Sequence, residues 1–256
     1  MIYGICIEPY RIEITQQHVE KLFPKGILRN KTAVHLSDLH ISRAGKREER
    51  VLSLLKEIKP DFIFLTGDYI SWKGDPRPAI DFLSQLKAKY GVWAVMGDYD
   101  YSNSRQSCVF CHLMTESRPS GKSQVRFLRN TVEPVLLSEG TLWIGGLDNQ
   151  GSFPYAVKEQ GIFFDHQPDI VLSHDPFVYN QWDKTQETLI LAGDTHGGQV
   201  PIPSGLWHLL GYEKNARYNQ GWFKDRRTQM YISRGVGTSH FPIRIMRRPE
   251  LVVFYF

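Results

Sequence analysis

Seven residues carry most of the chemistry that can be read from this chain: Asp38, His40, Asp68, Asp98, His174, Asp194 and His196. Each stands just after a short apolar run, at Ser37-Asp38, Gly67-Asp68, Gly97-Asp98, Ser173-His174 and Gly193-Asp194-Thr195-His196. One such Asp is explained as a helix cap, and one such His as a core or surface residue. Seven in the same position after separate runs are not. Carboxylates mixed with imidazoles make a hard-to-borderline donor set suited to Mn, Fe, Zn or Mg. If one carboxylate is shared between two halves of the set, the result is a two-metal site of the kind that stabilises both oxygens of an in-line phosphoryl displacement. A second constellation is Cys108-Val-Phe-Cys111-His112. It fits c-type haem attachment, with His112 as axial ligand to a covalent haem c. A reversible disulfide, part of a zinc site and two unrelated thiols compete with that reading. Zinc lacks a second CxxC.

The elements that must position these residues follow from periodicity. Thr32–Ser37, Phe62–Thr66 and Val92–Met96 read as strands. Arg47–Ile58, ended by Pro60, and Ala79–Lys89 read as amphipathic helices between them. This βαβαβ pattern implies neighbouring strands joined by right-handed crossovers, with ligands gathered beyond the strands' carboxyl ends. Further short strands are expected at Thr141–Ile144, Ile170–Leu172, Leu189–Leu191, Tyr231–Ser233 and Leu251–Tyr255. Residues 102–124 are aperiodic and Ser-rich, which reads as an insertion carrying the CxxCH triplet. Without repeats or a linker, residues 1–256 are expected to form one domain.

Composition excludes several classes. The chain has 256 residues, 41% hydrophobic and 23% charged, which rules out disorder and collagen-like repeats. Its longest wholly apolar run, Leu251–Phe256, is far short of a membrane span. No basic-then-apolar leader follows Met1, so a soluble chain is expected. The net charge of +4 is uneven: from Glu213 to Glu250 nine Lys/Arg stand against three Asp/Glu. Such a stretch suits phosphate groups or acidic lipid, or is a solvated surface; no nucleic-acid motif accompanies it, so nucleic acid is an unlikely partner. Arg234, Arg244, Arg247 and Arg248 are candidates to meet phosphate, and Trp207, Trp222 and Phe223 to form an apolar lip. Cys6 is expected to pack and His35 to be structural.

Asp38-Leu-His40, Gly67-Asp68, Gly97-Asp98-Tyr99-Asp100, His174 and Gly193-Asp194-Thr195-His196-Gly-Gly-Gln resemble the ordered motifs of calcineurin-like metallophosphoesterases, over about residues 30–256. Gly-Gly-Gln after the last His, Ser233-Arg-Gly-Val-Gly-Thr, Pro242-Ile-Arg and Arg248-Pro-Glu are similar to a branch of membrane-associated phosphodiesterases. That branch includes hydrolases of UDP-2,3-diacylglucosamine. Tyr3-Gly to Glu8-Pro is similar to segments that follow a membrane anchor there. The resemblance implies an α/β fold, a sandwich of two mixed β-sheets flanked by helices. It implies one metal held by Asp38, His40, Asp68 and His196, and a second by Asp68 as bridge with Asp98, His174 and Asp194. A hydroxide bridging the two would attack a phosphodiester or diphosphate, in a phosphate-containing small molecule or a lipid-linked substrate, with Tyr99 and Asp100 as the catalytic pair.

Three positions depart from the family pattern, which has Asn at Asp98, His at Tyr99 and His at Asp194. The extra carboxylates make the site more negative and harder, favouring Mn, Fe or Mg over Zn. A phenol with an ordinary pKa near 10 is a poorer proton donor than imidazole. The alternative reading is therefore a catalytically impaired member of the fold serving as a haem-bearing electron-transfer or binding module. Localisation follows the same fork: membrane-peripheral or exported if haem is attached, cytoplasmic otherwise.

Overall fold

The computed structural model describes residues 2–19, 22, 26–72, 74–101, 125–148, 164–239 and 241–256. In chain order the first elements are β1 (Glu13–His18), β2 (Thr32–Leu36), α1 (Lys46–Ile58), β3 (Phe62–Thr66), α2 (Arg77–Ser84), β4 (Gly91–Val95) and β5 (Val125–Phe127). They are followed by β6 (Thr131–Leu137), β7 (Gly140–Gly146), β8 (Ile170–Leu172), α3 (Val178–Gln181) and β9 (Thr188–Ala192). The chain closes with α4 (Ser204–Leu209), α5 (Glu213–Arg217), β10 (Gly221–Asp225), β11 (Thr228–Ile232) and β12 (Glu250–Tyr255). Among the described residues these strands form two six-stranded mixed sheets, ordered β1-β12-β2-β3-β4-β5 and β10-β11-β9-β8-β7-β6.

The central strands are apolar on both faces because both faces are covered. Ala33, Phe62, Phe64, Trp93 and Val95 pack between the sheets against Leu142, Ile170, Leu172, Leu189 and Leu191. Val34, Leu36, Ile63, Leu65 and Val92 turn outward onto Val51 and Leu54 of α1 and Phe82 and Leu83 of α2. On the far side Val171, Ile190 and Ile232 pack on Val178 and Tyr179 of α3. The anticipated βαβαβ unit is present, with β2, β3 and β4 parallel. Helix α2 is shorter than its periodicity suggests: the backbone N–H groups of Lys89 and Tyr90 bond to Pro60 O and Asp61 O. The chain has to unwind there to bring β4 beside β3, although Leu86 stays buried.

In the second sheet β8, β9 and β11 are also mutually parallel. The two sheets are laced together beyond their carboxyl ends by Val236 N–H to Ser37 O (2.9 Å) and Gly237 N–H to Asp38 O (2.6 Å). Residues 102–124, with Cys108, Cys111 and His112, lie outside the described residues.

Candidate metal centre

The carboxyl ends of β2, β3, β4, β8 and β9 deliver all seven expected residues to this one edge. Asp38, His40, Asp68, Asp194 and His196 have positive φ, from 45° to 74°. For residues with a Cβ that conformation is strained and concentrates at functional sites. Here it turns the chain sharply after each strand. Gly67 (φ 93°) and Gly97 let two of these turns nearly touch: a Cβ on Gly97 would lie 2.1 Å from Asp68 Oδ1, and one on Gly67 2.5 Å from Gly97 N.

Three imidazoles present Nε2 to the centre. His40 Nε2 and His196 Nε2 are 3.0 Å apart. His196 Nε2 lies 3.5 Å from Asp38 Oδ1, and His40 Nε2 3.5 Å from Asp68 Oδ2. His174 Nε2 lies 3.6 Å from Asp68 Oδ1 and 3.9 Å from Asp194 Oδ1. Asp38, His40 and His196 form one tight donor group, and Asp38, Asp68 and His174 another. Donors around an ion at about 2.0–2.2 Å stand about 3–3.5 Å apart, close to this spacing. The outer nitrogens are held by carbonyls: His174 Nδ1 contacts Thr66 O at 2.7 Å and His40 Nδ1 contacts Ile70 O at 3.3 Å. This is how metal-ligating histidines have tautomer and ring orientation set. His174 Nε2 is buried with no hydrogen-bond partner. A buried ring nitrogen that faces carboxylates without a hydrogen bond is a place where positive charge collects, as a proton or as a metal ion, so the donors present fit a metal.

The electrostatics of these groups agree. Burial lowers His40 to about 3 and takes His196 well below its ordinary value, keeping both neutral and able to ligate. Burial raises Asp38 to about 6 and Asp68 well above the usual carboxylate range, against the opposing pull of the His174 charge. At His174 burial opposes protonation, but Asp68, Asp194, Asp38 and Asp98 overcome it and raise the imidazole to about 10.

The other anticipated residues take distinct places. Asp100 is fully buried, and its carboxylate accepts the backbone N–H groups of Asp68 (2.7 Å), Tyr69 (2.8 Å), Ile70 (3.3 Å) and Gly97 (2.9 Å). It fastens the Asp68 turn to the Asp98 turn. Tyr99 donates its backbone N–H to Asp68 Oδ1 (3.0 Å), and its ring meets His40 edge-on at 4.8 Å and Trp72 at 5.2 Å. Burial and the charges of Asp68, Asp98 and Asp194 raise its hydroxyl to about 12.

Sequence reasoning missed Lys214. On α5, its ammonium pairs with Asp194 Oδ2 and, at 3.1 Å, with Asp175 Oδ2. Burial works against that charge, but the two carboxylates outweigh it and raise the lysine above its ordinary pKa. The basic tilt of residues 213–250 was the available signal, and it pointed elsewhere. Arg244, a phosphate candidate, is fully buried and donates to the carbonyls of Gly237, Arg234 and Arg247, with Nη2 3.5 Å from His196 Nδ1. Arg234 pairs with Glu13 and Glu250, and Arg247 donates to Gly197 O. Of the expected apolar lip only Trp207 lines the cavity beside the cluster; Trp222 packs on Tyr231 and Phe254, and Phe223 on Tyr218. Cys6 is exposed rather than packed. His35 is buried and bonded to Thr66 Oγ1 at 2.8 Å.

Fold and site together define a metal-dependent phosphoesterase class. Residues 31–198 match the family model for calcineurin-like phosphoesterase, and the chain belongs to that family. It is 28% identical to the Bacillus subtilis uncharacterised metallophosphoesterase YkuE, over 98% of this chain and 88% of that one. It is 29% identical to the Escherichia coli phosphodiesterase YaeI, over 85% and 79%. It is 22% identical to LpxG of Chlamydia trachomatis, a UDP-2,3-diacylglucosamine pyrophosphatase, over 98% and 91%. The haem-bearing alternative rests on the Cys108–His112 triplet alone.

Proposed function

We propose that this chain hydrolyses a phosphodiester or diphosphate bond in an amphiphilic substrate. Asp38, His40, Asp68 and His196 hold one metal, and Asp98, His174 and Asp194 frame a second position beside it. The observation that carries this reading is the pair of tight donor groups, Asp38 with His40 and His196 and Asp38 with Asp68 and His174, gathered from separate strand ends. Bound metal supplies Lewis-acid polarisation of the phosphoryl group and a water nucleophile at neutral pH. The chain's own residues do the rest. Carbonyl-fixed imidazoles keep the ligands in place without reorganisation, and Asp100 holds two ligand-bearing turns in register. A phenol, with an ordinary pKa near 10, stays protonated at neutral pH, so the Tyr99 hydroxyl supplies a hydrogen bond to a phosphoryl or leaving oxygen rather than a proton.

The substrate class follows from the adjoining cavity of about 660 Å³, which joins Asp68, Asp98 and Asp194 to an apolar wall of Phe177, Val200, Trp207, Tyr212 and Phe241. Phe241 is 72% exposed and Met246 74%. The N-terminal turn packs on the same segment, with a Cβ on Gly4 placed 3.0 Å from Ile245 Cγ1. Ile2, Tyr3, Ile5 and Ile7 around Gly4 are exposed, which extends an apolar rim suited to an acyl chain or peripheral contact with a lipid surface. No helix among the described residues is long and apolar enough to cross a membrane. The diacylated substrate in the name of the relative LpxG supports the same choice.

The test is turnover by Mn-loaded protein of UDP-2,3-diacylglucosamine and of bis(4-nitrophenyl) phosphate. Both are expected to be cleaved, with a lower KM for the acylated compound, and both activities are lost with EDTA or in Asp38→Asn. No cleavage of either by protein shown to contain metal would sink the proposal.

A further inference from the structure

One donor at the second position, Asp194, is not free to close around an ion. Asp194 has one carboxylate oxygen turned toward His174 Nε2, at 3.9 Å, while the other is taken by the Lys214 ammonium. The tight donor groups draw on Asp38, Asp68 and the three histidines, and Asp194 belongs to neither. Lys214 is no loose surface lysine. Its helix is tied to the ligand-bearing loop by Asn215 Nδ2 donating to Thr195 O at 2.8 Å, and Thr195 Oγ1 donates to Asn219 O at 2.6 Å. The ammonium also sits within reach of Asp175 Oδ2, a second carboxylate that no metal role requires. An ammonium held on Asp194 opposes a dication at that carboxylate by charge and by competition for the same oxygens.

We propose that Lys214 is a tethered cation at the second metal position, so that the chain holds one metal tightly and admits a second only against the lysine. This rests on the metal-dependent reading above and refines it. One dication, at Asp38, His40 and His196, is then the resident ion, and Lys214 balances the Asp194 end of the carboxylate cluster. An ammonium has three N–H donors; two meet Asp194 and Asp175, and the third is available to a phosphoryl oxygen in the cavity that Lys214 lines.

The experiment is metal counting on the full chain, by elemental analysis after desalting and by calorimetric titration with Mn²⁺ alone. The parent is expected to retain one equivalent. Lys214→Met, which keeps the alkyl stem without the charge, is expected to retain two, with second-equivalent affinity at least tenfold above the parent's. Lys214→Gln should behave likewise, and Lys214→Arg should stay at one. Thermal unfolding checks that each variant is folded, and the two neutral variants guard against a folding failure in either. A parent holding two equivalents of similar affinity overturns the inference while leaving the proposed function intact. So does an unchanged count in both folded neutral variants. A parent holding no metal overturns both.

Discussion

At the scale of single residues, the site pairs ligand donors with groups that only hold them. Asp100 accepts four backbone N–H groups, so its removal should act through geometry rather than proton transfer. Asp100→Asn turns an NH₂ toward those donors and is expected to cost about 1–3 kcal/mol, read by urea unfolding, together with weaker Mn²⁺ binding. Tyr99 is the residue where chemistry is most open to improvement. Restoring an imidazole with Tyr99→His should raise kcat by about 100-fold in the bis(4-nitrophenyl) phosphate assay, the low end of the usual range for a general acid. A fall in kcat would instead mark the phenol as an adapted part of the site. His35, away from the ligands, gives a pH effect of definite sign. Burial lowers it to about 3, so the unfolded chain binds its proton first as pH falls below about 6.5. Stability attributable to His35 is present above that pH and lost on acidification toward 3. His35→Gln should flatten stability against pH between 6 and 4 by up to about 1.4 kcal/mol per pH unit, measured by denaturant titration.

At the scale of elements, strands that run apolar into Gly-Asp or Ser-His were the most legible feature of the chain. Phe62–Thr66 is buried at every position, and its sequence shows it. β1 was not legible, because its residues are mostly exposed and its place comes from backbone pairing with β12 at the sheet edge. β10 was not legible either: its Trp222 and Phe223 face opposite sides of a sheet rather than a substrate. Turns, more than strands, set the centre's tolerance. Gly97→Ala would drive a Cβ into Asp68 and its backbone N, and is expected to destabilise by more than about 2 kcal/mol and to lose metal, with loss of Mn²⁺ heat in calorimetry as the readout.

At the scale of the whole molecule, two sheets contribute opposite halves of one cluster. Asp38, His40 and Asp68 come from the first, and His174, Asp194 and His196 from the second. A metal therefore joins donors from both halves, and binding must stabilise the entire fold. Mn²⁺ at 100 times its dissociation constant is expected to add about 2.7 kcal/mol, visible as a higher Tm that EDTA reverses. An unchanged Tm in protein that binds the ion would contradict a centre built across both sheets.

The sequence by itself determined the ligand types, their order and their attachment to strand ends, because apolar runs and the polar residues that stop them are local properties. It also carried the family, through motifs spread over most of the chain. The tertiary structure alone decided what surrounds those ligands. Lys214 reaches Asp194 from twenty residues away on a short helix, and Arg244 leaves the surface to hold carbonyls behind His196. Charge counted along a chain is blind to distance in space, and the energy of a charge depends on that distance and on burial.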